Sequence, residues 1–284
     1  MNIQFFPSAN EFLSKVGSRL ARNEARWGLI LGLAKSLVAD PHRFGPADPW
    51  FCAAYDGDTL RAVAMRTPPY KVLLAHISGD TASIADELVV AISKKERAIP
   101  GLTADKDLGE KFSAAWSREK NVGIKTDLIV SQRIYKLTKV NNVPLSPGHL
   151  HLASEADRLL VKNWMHGFHV DTGGEARKTR EDDGSYQLSR GWVYFWIDER
   201  PVSMAIKNRP TEHGMAVGYV YTPPELRGRG YATSCVAELS REILRSGYKF
   251  CTLYTNLADV TANSIYKKIG YKLVGDSVEF TFTD

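Results

Sequence analysis

Cysteine is scarce: three in 284 residues, at Cys52, Cys235 and Cys251, with no two close together. That spacing excludes a disulfide framework and a thiolate zinc site, and it fits buried thiols in a reducing compartment. The chain also lacks any run of about 18 apolar residues, so no membrane span is expected. Its opening, Met1-Asn2-Ile3-Gln4-Phe5-Phe6, has no basic stretch followed by an apolar one. No secretion signal is therefore read, and a cytoplasmic location is expected. A strong charge excess is missing too: 37 Lys and Arg stand against 32 Asp and Glu, a net +5. A mild positive balance suits an anionic small ligand, and no nucleic-acid partner is expected from it. What is present is 44% hydrophobic and 24% charged residues, enough for one large or two ordinary globular domains.

The most informative stretch runs Val220-Tyr221-Thr222-Pro223-Pro224-Glu225-Leu226-Arg227-Gly228-Arg229-Gly230-Tyr231-Ala232. A β-branched and aromatic run stops at two prolines. An Arg/Gly turn follows, and helix-forming sequence begins at Tyr231. The first turn of a helix leaves N–H groups free and carries positive dipole character, so strand, glycine loop and helix start together make an anion site. Arg227 and Arg229 add charge-assisted donors suited to phosphate. The spacing lacks the Lys-Ser/Thr of a P-loop, and Thr233 stands where the dinucleotide pattern needs its third glycine. An ordinary turn before a helix is the plain alternative.

Arg227-x-x-Gly230-x-Ala232 resembles the acetyl-CoA-binding motif of the GNAT N-acetyltransferase superfamily. Downstream, Asn263-Ser264-Ile265-Tyr266-Lys267-Lys268-Ile269-Gly270-Tyr271 resembles that superfamily's closing motif, a helix ending in Tyr-x-x-x-Gly-Phe/Tyr. The resemblance covers about residues 150–284. It implies an α/β (α+β) fold with a mixed, mostly antiparallel sheet flanked by helices.

A repeat points to two such folds. Trp50 and Trp192, Asp56 and Asp198, and Pro68 and Pro210 share one offset of 142 residues, half the chain. In each half, strand, turn, strand and proline stop follow in order, although any two hairpins look somewhat alike. The first half would pass from a strand at Lys71–His76 into a helix at Thr81–Lys94. Its junction, Ile77-Ser78-Gly79-Asp80-Thr81, has one glycine and no arginine. The chain therefore resembles tandem GNAT proteins, with a degenerate N-terminal domain at 1–128 and an intact catalytic domain at 129–284, the boundary falling near Asp127–Ser131. Other expected elements are one helical stretch over Asn10–Val38, a helix at Ser154–Phe168, and a short helix near Tyr186–Ser189. A strand meander at Trp192, Val202 and Gly214 follows, with helices from Tyr231 and Thr261. A β pair, Tyr271–Gly275 with Ser277–Phe282, closes the chain. The mixed charges Arg177–Asp183 read as a solvated loop.

The resemblance implies acetyl transfer from acetyl-CoA to a primary amine of a small molecule or peptide. Val220, Tyr221 and Thr222 would hold the pantetheine arm as an added strand, with a bulge aiming one amide at the thioester oxygen. Amides of Arg227, Gly228, Arg229, Gly230, Tyr231 and Ala232 would wrap the pyrophosphate. Tyr266 would protonate the leaving sulfur, since a phenol near pKa 10 stays protonated. Asn263, one turn earlier, would bond the cofactor; Asp259 stands where the family commonly has Asn. The base is open among Glu212, His213, Tyr254 and a water relay. His166 and His169 form an H-x-x-H pair with no third ligand in view, so no metal is expected and a place near the acceptor is read for them. The acceptor pocket is expected from the Asp171–Gly184 loop, with the N-terminal half as a further contributor. A tandem protein moving aminoacyl or longer acyl groups, and a non-catalytic acyl-CoA-binding regulatory module, are the alternatives.

Overall fold

The computed structural model describes residues 1–125, 129–173 and 184–283. The expected boundary at 128/129 and the expected Asp171–Gly184 loop, with its charges at Arg177–Asp183, touch residues outside that set.

Elements follow in the order β1 (Asn2–Phe6), α1 (Ala9–Ala21), α2 (Glu24–Ala39), β2 (Trp50–Asp56), β3 (Thr59–Arg66), β4 (Val72–His76), α3 (Thr81–Lys95), β5 (Gly101–Asp105) and α4 (Lys106–Lys120). Then come β6 (Val130–Leu137), β7 (His149–Leu152), α5 (Arg158–Asp171), α6 (Ser185–Ser189), β8 (Val193–Asp198), β9 (Arg200–Asn208) and β10 (Gly214–Tyr221). The chain ends with α7 (Tyr231–Arg245), β11 (Phe250–Asn256), α8 (Val260–Ile269) and β12 (Lys272–Thr281). Two compact units result. One comprises Met1–Ile134, Thr255–Asp259 and Val274–Asp284; the other comprises Tyr135–Tyr254 and Val260–Leu273.

In the first unit β1 to β4 pair antiparallel in chain order, β4 pairs parallel with β5, and β5 pairs antiparallel with the end of β12. Period-2 alternation explains its two cores. Trp50, Cys52 and Ala54 of β2 join the cluster built with α3 and α4, while Phe51 and Ala53 join the one built with α1 and α2. In the second unit β7, β8, β9 and β10 pair antiparallel and β10 pairs parallel with β11. Tyr194 and Trp196 face α7, and Val193 and Phe195 face α5. This is the mixed, mostly antiparallel α/β sheet flanked by helices that the motifs implied.

The repeat extends to the first strand of each parallel pair: β4 meets β5 from Val72 and β10 meets β11 from Gly214, 142 residues apart, while the partners Leu102 and Phe250 are 148 apart.

Several elements differ from expectation. The helical stretch at Asn10–Val38 is two helices, because Asn23 adopts φ −140° and ψ 60° as the N-cap of the second. Asn favours such non-helical caps. The apolar phase restarts there, which leaves Val38 exposed. The closing β pair is one strand, since Ser277–Thr281 continue straight into pairing with β5. The edge strand β7 is only four residues long and was not anticipated.

Asp105 fixes the far end of the first unit's parallel pair. Its buried carboxylate accepts from the His76 amide at 2.7 Å and from Arg26 Nε at 2.7 Å. Asp105→Ala removes the acceptor that these two donors share, and denaturant unfolding should show a loss of about 3 kcal/mol.

Candidate active site

The arrangement begins with a defect in β10. Gly218 opposes Ile206 and Tyr221 opposes Met204, so three steps on β10 meet two on β9. The extra residue is accommodated by Tyr219, whose φ is +50°. This is a β-bulge, and it reverses which residues face which layer. Before it, Met215 and Val217 pack with α7; after it, Val220 takes that side. Tyr219 and Tyr221 turn to α5 instead. The Tyr219 ring lies 5.2 Å from Phe168 and 5.6 Å from His169, and Tyr221 lies 5.9 Å from Trp164. Gly167 permits the approach, because a Cβ there would sit 2.5 Å from Tyr221 Oη. Burial, with Asp171 next in effect, holds the Tyr221 phenol above its ordinary pKa.

Among the described residues the β10–β11 ladder ends at Ala216↔Thr252, although both strands continue. The bulged half of β10 therefore runs on without β11 as its ladder partner. A ligand with amide groups along its length has the chemistry to bond such a backbone edge.

The loop beyond β10 is built for close approach. Gly228 and Gly230 have φ of +78° and +80°, the left-handed region that favours glycine. Gly230 caps α7 with no side-chain hydrogen bond, so α7's first N–H groups keep their capacity for an anion. Leu226 is buried, anchoring the loop's start.

Side chains brace this backbone. Arg227 Nε donates to the Thr222 carbonyl at 2.9 Å and its Nη2 donates to Asp171. Ser146 Oγ donates to the Arg229 carbonyl at 2.7 Å, and its amide donates to Ser234 Oγ at 2.8 Å. Tyr231 Oη donates to Asp198 at 2.5 Å, an interaction that raises the phenol's pKa. Ser203 Oγ donates to the Tyr221 carbonyl and meets Thr222 Oγ1 at 2.9 Å. Ala232 continues the first turn of α7.

Tyr266 is buried on α8, with its ring 5.9 Å from that of Tyr271. Asn263 is buried one turn earlier, its Oδ1 accepting from Tyr135 Oη at 3.0 Å. The structure thus brings Val220 to Thr222 and Arg227 to Ala232 into one continuous strand-to-helix segment. Tyr266 and Asn263 sit on a separate helix of the same unit.

Sequence reasoning missed Ser146, Asp171, Asp198, Ser203 and Tyr135. Nothing in the sequence assigned them a part in this network, because their partners lie 19 to 128 residues away. The bulge did leave a trace, the change of apolar parity at Gly218. Of the base candidates, Glu212 and His213 precede β10, about six residues and roughly 20 Å along the strand from the bulge. Tyr254, past the ladder's end on β11, has the Arg209 guanidinium 5.8 Å from its ring.

Residues 197–280 match the family model described as FR47-like protein. No curated protein matches the chain. Among solved structures, a GNAT-family acetyltransferase from Colwellia psychrerythraea is 14% identical, with 100% of both chains covered and a TM-score of 0.54. A Drosophila protein is 14% identical over 99% of this chain and 98% of its own, with a TM-score of 0.70. A tandem GNAT protein from the clavulanic acid biosynthesis pathway is 13% identical, covers 99% of this chain and 98% of its own, and gives 0.56. The class is therefore a GNAT-type fold. Most of the FR47-like segment lies in the second unit, while Thr255–Asp259 and residues 274–280 of it belong to the first.

No cysteine serves this site. Burial pushes the thiols of Cys52, Cys235 and Cys251 up to about 12. A chromogenic disulfide reagent at pH 8 should leave all three unmodified in the native protein and titrate all three in denaturant.

Proposed function

We propose that the second unit transfers an acetyl group from acetyl-CoA to a primary amine of a small molecule or peptide. The observation that carries this reading is the bulge at Tyr219, followed within one segment by the Gly228/Gly230 loop at the head of α7. The pantetheine amides would bond the β10 edge from Val220 to Thr222. The amides from Arg227 to Ala232 would surround the pyrophosphate. The Arg227 guanidinium, already engaged with Thr222 and Asp171, would shape the loop more than neutralise phosphate. Backbone N–H groups near the bulge would polarise the thioester carbonyl as charge develops on its oxygen. Tyr266 would protonate the departing sulfur, and Asn263 would stay near the cofactor through its bond to Tyr135.

The first unit is the unequipped copy in this proposal. Its helix α3 is capped by its own acid, with Asp80 accepting from Ser83 N at 2.8 Å. A carboxylate there answers a donor and repels phosphate. The Asp105 carboxylate takes the His76 amide just past the end of the β4–β5 ladder. One acetyl-CoA per chain is the consequence.

Longer acyl or aminoacyl donors, and a non-catalytic acyl-CoA-binding role, are the competing readings. A placed acid serves catalysis and not mere binding, so Tyr266 separates the last of them from transfer. A cytoplasmic location accompanies the proposal. No helix among the described residues is long and apolar enough to cross a membrane.

Calorimetry should give one acetyl-CoA site per chain. Gly230→Glu should abolish it, because φ of +80° strains any side chain, Ser146 Oγ would lie 2.8 Å from the new Cβ, and the acid repels phosphate. Unchanged affinity would sink the cradle. Thiol release should be screened against amino acids, polyamines, aminoglycosides and peptides. With an amine so identified, Tyr266→Phe should lower kcat by about one to three decades at similar cofactor affinity.

A further inference from the structure

We infer that His169 is the general base that takes the proton from the attacking amine. This deepens the acyl-transfer reading above and rests on it. Three observations converge. First, the bulge fixes where chemistry would occur, since the backbone around Tyr219 and Val220 leaves the ladder there. Second, the bulge turns Tyr219 toward α5, and the His169 ring stands edge-on to it, with centroids 5.6 Å apart at 84°. Third, His169 lies in the last turn of α5, two residues before Asp171, whose carboxylate is tied to the phosphate loop through Arg227. One short segment thus reaches both the bulge and the cofactor loop.

His169 is half-buried, with Phe168 and Tyr219 against its ring. Of the ionisable groups, Tyr219 packs against its ring from β10, Tyr221 packs on the same helix at Trp164, and His166 and Asp171, the latter paired with Arg227, flank it along α5. His166 is exposed and makes none of these ring contacts. A neutral imidazole is a competent proton acceptor.

The step balances. The neutral amine nitrogen attacks the thioester carbon, and the C–N bond forms. The nitrogen's proton passes to His169, directly or through one water. The C–S bond breaks, and the sulfur takes a proton from Tyr266. Amide and free thiol leave, and His169 returns its proton to solvent.

The test is the pH profile of kcat/KM for acetyl transfer to an amine accepted by the wild-type chain. The wild type should show a rising limb, as expected for a base that must be deprotonated to act. His169→Gln should lose that limb and about 100-fold in kcat, with acetyl-CoA affinity by calorimetry retained. His166→Gln should keep both limb and rate. If His169→Gln loses cofactor affinity through misfolding, His169→Ala decides, because added imidazole should restore turnover in it. A limb retained in His169→Gln, its loss in His166→Gln, or failure of imidazole rescue would overturn the assignment. A wild-type chain that neither binds acetyl-CoA nor releases thiol would instead remove the acyl-transfer reading itself.

Discussion

One inserted residue in β10 organises the second unit. A strand can present a given side chain to only one face, and a single extra residue exchanges the faces for everything after it. Met215 and Val217 can therefore anchor β10 to α7, while Tyr219 and Tyr221, also odd-numbered, pack on α5. Without that switch Val220 would face α5, and the aromatic contacts to Trp164, Phe168 and His169 could not form. The same insertion takes backbone groups out of the β9 ladder near the point where β10 and β11 cease to pair. A buried sheet normally satisfies its backbone groups internally, so a strand arranged in this way is prepared for an external partner.

The loop after β10 follows the same logic of backbone left available and side chains used as struts. Arg227, Ser146, Ser203 and Tyr231 each form a hydrogen bond that fixes the path of the chain. None of these bonds occupies the amides from Gly228 to Ala232. Rigid positioning matters because a donor that is already oriented costs no reorganisation when charge appears beside it. The exposed Arg227–Asp171 pair is weak as a source of stability. Its consequence is geometric, since it joins the end of α5 to the loop.

The first unit illustrates how the same topology is closed. Its parallel ladder has the same three-residue extent, but a carboxylate follows where the second unit leaves an open edge. Asp105 is buried and held by Arg26, so it belongs to the folding of that unit. Asp80 in turn caps the helix whose counterpart, α7, begins at an unfilled glycine cap.

Local sequence determined much of this protein. Apolar alternation set the strands at Trp50, Trp192 and Gly214, the prolines and glycines set the loop after Thr222, and the 142-residue offset announced two like units. The αL positions of Gly228 and Gly230 were legible because only local sterics decide them. The break at Asn23 and the fusion of the last two strands were not, because capping geometry and distant pairing overrode the local pattern. Tertiary structure alone decided that Asn263 bonds Tyr135, that Ser146 braces Arg229, and that His169 meets Tyr219. Those contacts depend on which faces a bulge turns together across dozens of residues, and no local periodicity encodes that.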